Sequence, residues 1–362
     1  MKPKLLVVEL HHLGDAVIGL PFVRGAQEHF EVHVLCRPAT ASLYRLLSQP
    51  PVIHGWDPPW AEEASCGPWK SIEAAMAEGR VLHPQGFASA VCVWADARAA
   101  VLMASTGSEQ RIGFPMNSVN YYGANILWRR KNLRAGRLLE FFWRIAHLGR
   151  ALLTTRLQRV DPDQPHLRCW EQIAETLGVA CDYSTPWVST PEPIRDVADF
   201  VLAARSAGKN VLVVHTNARL PSKQWPREMW RGLLRSPDVF PRFALLELLP
   251  PKTDPLDSEI HSVTTQSIAD LAGALSAADA VLCHDSFPAH LAAALGKPVM
   301  TIFGSGQPDW FAPWQNRTRA VQRHVCPLHP CLERCAMDSY LCLDAVSVED
   351  VQAMINQIPE AR

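Results

Sequence analysis

Short apolar runs alternate with amphipathic stretches along most of the chain, and the two periods predict strands and helices in turn. Lys4 to Leu10 reads as a strand. His11-His-Leu-Gly-Asp15 is a polar turn, and Ala16 to Phe30 spaces Val17, Leu20, Val23 and Ala26 on one helix face. Glu31 to Cys36 completes a β-α-β opening. Residues 50–70, with Pro50-Pro51, Pro58-Pro59, Trp56, Trp60 and Trp69, predict an irregular loop. Ala88 to Trp94 is a further strand, followed by Asp96, a helical stretch through Ser105, and Gln110-Arg-Ile-Gly-Phe114.

The alternation restarts after a proline-rich stretch, Ser184 to Pro193, in which prolines end helices and strands alike. Val211 to Val214 and Ala244 to Leu249 are strands, Pro226 to Leu234 is a helix, and Ser267 with Asp270 caps a helix over Ile268 to Ala277. Val281 to Phe303 then reads as strand, polar turn, helix and strand. Asp285 and Ser286 are N-cap residues, Pro288 suits the first helical turn, and Gly296 and Pro298 stop the helix. Ser347-Val-Glu-Asp350 is a capping box before a last helix. The pattern predicts two α/β domains: residues 1–184, a linker 185–194, a second domain 195–346, and a C-terminal helix 347–362.

Composition narrows the class. A chain of 362 residues with 48% hydrophobic residues suits two cores, and a formal net charge of −1 lacks the basic footprint of a general nucleic-acid binder. No apolar run approaches the roughly 20 residues that span a bilayer. The N-terminus enters a strand directly, so a cytoplasmic protein is expected, with its ten cysteines mostly reduced. The most basic segment, Trp128 to Arg137, runs into Phe141-Phe-Trp-Arg144. It reads either as a solvated loop before a core helix or as a cationic lip for an anionic, membrane-embedded acceptor.

Four groups of residues carry chemistry. Asp15, after Gly14 at the end of the first strand, either caps a helix or acts as a general base. His11 and His12 beside it are turn residues or acceptor contacts. In His215-Thr-Asn-Ala-Arg-Leu-Pro-Ser-Lys-Gln-Trp-Pro226, Arg219 and Lys223 are cations at a strand end, a setting for phosphate oxygens. Trp225-Pro226 fixes the helix entry. Asp285, Ser286 and His290 form the third group. The fourth is Cys326, Cys331, Cys335 and Cys342, four of the ten cysteines within 17 positions, which either hold zinc or iron or pack in an irregular segment.

With these residues in view, the chain resembles the heptosyltransferases of glycosyltransferase family 9. Leu5 to Pro21 is similar to that family's opening strand, Gly-Asp and first helix. Arg111-Ile-Gly-Phe114 resembles a strand of its acceptor domain, and His215 to Pro226 its Ser-Lys-x-Trp-Pro segment. Asp285-Ser-x-Pro-x-His-Leu-Ala-Ala-Ala-Leu-Gly-x-Pro298 is the most specific match. The cysteine cluster and the Ser347 helix also resemble the end of many members. The resemblance implies a GT-B architecture, with two Rossmann-like domains facing across a cleft, acceptor in the first and donor in the second, and the last helix crossing back to the first. It implies inverting transfer of a heptose or related sugar from an ADP-sugar to lipopolysaccharide core or another envelope glycan. No cofactor is needed for catalysis; a structural zinc or iron at the cysteines is the one metal implied. Asp15 would be the base and Lys223 the phosphate cation. Gly14, Thr216, Asn217, Arg219, Ser222, Asp285, Ser286, Phe287 and His290 would bind donor, and His11, His12 and Arg111 acceptor. The partners implied are ADP-heptose, an anionic glycolipid acceptor and the inner face of the inner membrane, with no nucleic acid.

The sequence departs from the family at Phe287, where glycine is usual, at Thr216-Asn217 and at His11-His12. Pro250-Pro-Lys252 replaces a glycine turn and leaves Glu247 only a guess as a nucleotide-base contact. Phe287 motivates a second reading, a catalytically silent GT-B protein that binds nucleotide sugar or a partner. A third is heptosyl transfer to a protein acceptor. A nicotinamide-dependent dehydrogenase is disfavoured, since no G-x-G-x-x-G fingerprint occurs.

Overall fold

The structure is a computed structural model and describes residues 1–61, 68–115, 149–158, 164–313, 318–327, 329, 331, 335 and 337–358. The basic segment Trp128 to Arg137 and the aromatic residues after it lie outside the described residues. The chain divides into two compact units. The first comprises Met1–Arg45, Gln49–Asp161 and Leu167–Tyr183, and the second Leu46–Ser48, Pro162–His166 and Ser184–Arg362.

The first unit is built on a parallel sheet of β1 (Lys4–Glu9), β2 (Glu31–Cys36), β3 (Val52–Gly55), β4 (Ser89–Cys92), β5 (Gln110–Gly113) and β6 (Thr155–Arg156), in the order β3-β2-β1-β4-β5-β6. Leu5, Leu6, Val7 and Val8 are all sealed from solvent. A strand flanked on both sides needs apolar residues on both faces, hence the unbroken run. The second unit has β7 (Asn210–His215), β8 (Phe243–Leu249), β9 (His261–Thr264), β10 (Ala280–His284), β11 (Val299–Ile302) and β12 (Thr318–Val321), in the order β12-β11-β10-β7-β8-β9. Every described pairing in both sheets is parallel.

Numbered within its own unit, each sheet runs 3-2-1-4-5-6. The strand order therefore reverses direction between β1 and β4 in one unit and between β7 and β10 in the other. Loops leaving the carboxyl ends of those neighbours turn to opposite faces and open a crevice, the usual ligand site of such sheets. This is the Rossmann-like pair expected of GT-B proteins, and it marks where chemistry belongs.

Two local details differ from the sequence reading. The single helix expected over Ala16 to Phe30 is two, Leu13–Ile18 and Leu20–Ala26. Pro21 has no N–H to continue the first ladder. Gly19 lies so close under Trp170 that a Cβ would come within 2.9 Å of its ring. Within the stretch read as irregular, Val52–Gly55 pairs with β2 as an edge strand. It is too short and too close to prolines to show a period.

The last helix, Val348–Ile355, begins at the expected capping box, with Asp350 N–H donating to Ser347 Oγ and Ser347 N–H to Asp350 Oδ2. Val351, Met354 and Ile355 are buried with Trp230, Leu233, Met300 and Ile302 in the core of the second unit. The helix's apolar stripe packs into the core of its own unit.

The proline-rich stretch is packed. Trp187 and Val188 are buried, Trp187 N–H donates to Ala294 O at 2.7 Å, and Gly273 lies against Glu192 O too closely for any side chain. It forms a strap of the second unit across the helices Ile268–Ala277 and Phe287–Ala294.

Candidate active site

In the second unit, the polar turn after β10 and the short turn Pro221–Lys223 after β7 meet at the reversal of strand order. Lys223 Nζ lies 2.6 Å from Asp285 Oδ2. His290, one turn into the helix Phe287–Ala294, is buried and within electrostatic reach of both. Burial pushes its imidazole down to about 4, against the pull of the Asp285 carboxylate and with the help of the Lys223 charge. His290 is therefore neutral near pH 7, a hydrogen-bonding group and not a cation.

Two further features hold this arrangement, and the sequence reading identified neither. His284, the last residue of β10, is buried, and its Nε2 accepts from Trp225 N–H at 2.9 Å and Trp230 Nε1–H at 3.2 Å. Burial and neighbouring His215 push its imidazole down to about 3, so it remains an acceptor. It ties the segment carrying Lys223 to the strand carrying Asp285. Trp225 Nε1–H also donates to Val346 O, and the ring is buried edge-on to Trp230, the packing role expected of it.

The second feature is the loop Gly304-Ser-Gly306 after β11. Ser305 N–H donates to Ser222 O at 3.1 Å, and Ser305 Oγ donates to Ser222 Oγ at 3.0 Å. A Cβ on Gly304 would run into Ser222 O, and one on Gly306 into Asp285 Oδ2. Gln322 Nε2–H reaches Gly304 O and Gly306 O from beyond β12. The signal was present as two glycines directly after a buried strand, where close backbone approach is the usual reason.

Other donor-side candidates are placed as follows. Ser286 is the N-cap of its helix, with Oγ donating to His284 O, and Phe287 is half-buried at the first helical position. Thr216 Oγ donates to Glu247 Oε1 at 2.6 Å, and Asn217 Nδ2 reaches Thr216 Oγ at 3.4 Å. Glu247 is sealed, its second oxygen accepting from Leu256 N–H and Ser262 Oγ–H. These contacts give Glu247 a structural task, bracing β8 and its following loop, in place of the guessed contact to a base. Arg219 is exposed in the loop after β7.

In the first unit, Asp15 lies in the first turn of the helix Leu13–Ile18, two residues after Leu13 and directly after Gly14. Its Oδ2 accepts from His12 N–H at 3.1 Å, so the carboxylate does cap the helix; it is only half-buried. The His11 ring stacks on Trp94 at 4.2 Å, while His12 is exposed. Arg111, on β5, has Nε–H on Leu152 O at 2.7 Å and a second guanidinium N–H on Ser108 O. Its side chain is thus engaged with backbone carbonyls.

Cys326, Cys331 and Cys335 are half-buried, and Cys342 is buried. Burial first, then the facing Cys335, Cys342 and Cys326, push the Cys331 thiol up to about 11. The four thiols share one neighbourhood. Among the described residues, however, no group of three or more His, Cys, Asp or Glu side chains stands close enough to hold a metal ion.

No helix among the described residues is long and apolar enough to cross a membrane.

Residues 263–341 match the sequence model of glycosyltransferase family 9 (heptosyltransferase). That segment contains Asp285, Ser286, His290, the Gly304–Gly306 loop and the first three clustered cysteines. Among curated proteins, none matches the chain by sequence. Solved structures with a similar fold include a family 9 glycosyl transferase from Veillonella parvula, 16% identical, covering 99% of this chain and 98% of that one at a TM-score of 0.66. Escherichia coli heptosyltransferase WaaC, solved with ADP, is 15% identical over 98% of this chain and 100% of its own, at a TM-score of 0.65. The iron-containing heptosyltransferase TibC from enterotoxigenic E. coli is 15% identical over 99% of this chain and 76% of its own, at a TM-score of 0.53. The resemblance read from the sequence therefore extends to the fold, which is that of the GT-B heptosyltransferase structures, and the second unit carries a segment that matches the family 9 heptosyltransferase model.

Proposed function

We propose that the protein transfers a heptose or a related sugar from an ADP-sugar to a hydroxyl group of a lipopolysaccharide core or another envelope glycan, with inversion. The observation that carries this reading is the grouping of Lys223, Asp285 and neutral His290 at the strand-order reversal of the unit bearing the family signature. A leaving diphosphate gains negative charge as the sugar–oxygen bond breaks, and a fixed cation with backbone N–H donors lowers the cost of that charge. In this reading Lys223 meets the diphosphate, while Ser286, His290 and the backbone around Gly304–Gly306 hold the donor. Asp15 removes the proton from the acceptor hydroxyl as its oxygen attacks the anomeric carbon. The bound ADP in WaaC supports the choice of nucleotide.

The test is turnover and donor affinity in Asp15→Asn. ADP affinity by calorimetry should stay near wild type while transfer falls by about a hundredfold or more, the usual worth of a positioned base. A near-normal rate removes the base assignment. Phe287 favours one competing reading, a silent binder; ADP-heptose bound with no turnover on any glycan or protein acceptor would establish it.

A structural metal held by Cys326, Cys331, Cys335 and Cys342 is a separate part of the proposal. The four soft donors suit zinc or iron, and TibC supports iron. Metal content well below one equivalent per chain after purification under reducing conditions ends it. Peripheral attachment to the inner membrane through the basic segment is the remaining part. Charge reversal of Arg129, Arg130 and Lys131 should weaken binding to anionic liposomes, and unchanged binding removes it.

A further inference from the structure

At the carboxyl end of β1 the first unit buries an acid that is not ion-paired among the described residues. Glu9 is 1% exposed and takes part in no described ion pair. Tyr44, Cys36 and Cys92 surround it on the neighbouring helix and strands, and its charge would oppose the ionisation of each. The nearby cation, Arg45, acts on Cys36. Glu9 Oε1 accepts from His11 N–H at 3.0 Å. Oε2 is sealed from solvent and closes no hydrogen bond of ordinary geometry, although the Trp94 indole lies near the carboxyl group.

The next amide along, His12 N–H, is held by Asp15 Oδ2 at 3.1 Å. Two carboxyl groups therefore grip consecutive amides of one turn. Two such groups in a poorly solvated place do not both ionise cheaply. Asp15 is half-buried and can be solvated, whereas Glu9 is sealed, so the proton belongs on Glu9.

We propose that Glu9 is a positioning residue: as the neutral acid it holds the His11–His12 turn and leaves Asp15 the only anion of the pair. The inference rests on the reading of Asp15 as the base for its catalytic meaning. Burial, then the charge of Asp15, push the Glu9 carboxyl up from about 4.5 to about 8. Ionisation near that pH would put a second negative charge into the turn.

The experiment is the thermal stability of the full-length protein against pH, for wild type, Glu9→Gln and Glu9→Ala, each also in an Asp15→Asn background. An acid whose folded value is raised stabilises the fold fully below its unfolded value and loses that contribution as pH rises through the folded value. Glutamine mimics the neutral acid. The Tm of Glu9→Gln relative to wild type should therefore climb between about pH 4.5 and about 8 and then level off. With Asp15→Asn the climb should end at lower pH, because the neighbouring charge is gone. A pH-independent gap, or a window unmoved by Asp15→Asn, overturns the proposal.

Should both Glu9 variants fail to fold, the wild type still answers. Isotope-edited infrared spectra of glutamate-labelled protein should show a protonated carboxyl stretch at neutral pH that fades near pH 8; its absence overturns the proposal. ADP release from ADP-heptose tests the underlying reading separately. Full release by Asp15→Asn removes the base assignment, while the stability windows still report on the proton of Glu9.

Discussion

Lys223 Nζ and Asp285 Oδ2 are 2.6 Å apart, yet the lysine side chain is 24% exposed and the aspartate only 4%. The carboxylate is the buried end and the ammonium the accessible one, as a group that both anchors and meets a ligand requires. Removing the lysine strands a buried charge. Lys223→Met should destabilise the protein by about 1–3 kcal/mol, less than a fully buried pair because its outer end is solvated. The same change should weaken ADP binding by tenfold or more, the loss of one charge-assisted contact. Denaturant titration and calorimetry check the two. If Lys223→Met binds ADP as wild type does, the lysine is purely structural.

Acid should weaken the second unit. His215, His284 and His290 are held, mainly by burial, to about 4, about 3 and about 4. Each carries fewer protons folded than unfolded once pH drops below about 6.5, so stability must fall as the solution is acidified from there towards about 4. A plot of unfolding free energy against pH should rise with pH over that window. His290→Gln should reduce the slope by the share of one proton.

Gly306 offers a substitution of one methyl group. A Cβ there would collide with Asp285 Oδ2, so Gly306→Ala must displace the carboxylate or the loop. A cost of about 1–3 kcal/mol is expected, the usual range for forced overpacking, together with weaker ADP binding. Gly232 serves as the control. A Cβ there would come no closer than 3.7 Å to Val348, and alanine should be tolerated.

His284 ties the donor side together through two buried acceptor contacts. His284→Phe keeps the ring but leaves Trp225 N–H and Trp230 Nε1–H buried without an acceptor. Each unsatisfied donor costs about 1–3 kcal/mol. The variant should lose stability by about that sum, and Trp fluorescence should report loosened packing around Trp225 and Trp230.

Much of the fold was legible because its strands are buried on both faces. The helix Ile268–Ala277 and the strand Glu31–Cys36 fall where their caps and apolar runs place them. The helix over Phe287–Ala294 follows from Ser286, Pro288 and Gly296. Edge elements such as Val52–Gly55, His261–Thr264 and Thr318–Val321 are short and half-polar, and no period survives in four residues.

At the site, charged residues announced themselves and their supports did not. Lys223, Asp285 and His290 stand out by type at strand ends. His284 reads as one more strand residue until two tryptophans are seen donating to it. Glu9 interrupts an apolar run that still reads as strand, and only its burial beside Asp15 makes the interruption meaningful.

The boundary between the units is not one point along the chain. Leu46 O accepts from Ser189 N–H, and His166 N–H donates to Trp310 O while its ring stacks on that indole at 5.7 Å. Both borrowed stretches lie before Ser184 yet complete the wall of the later half. Excising residues 184–362 as a fragment would therefore remove two of its own staples and bare Trp310. A split version of this protein should need either co-expression with the preceding half or grafted replacements for those two short loans.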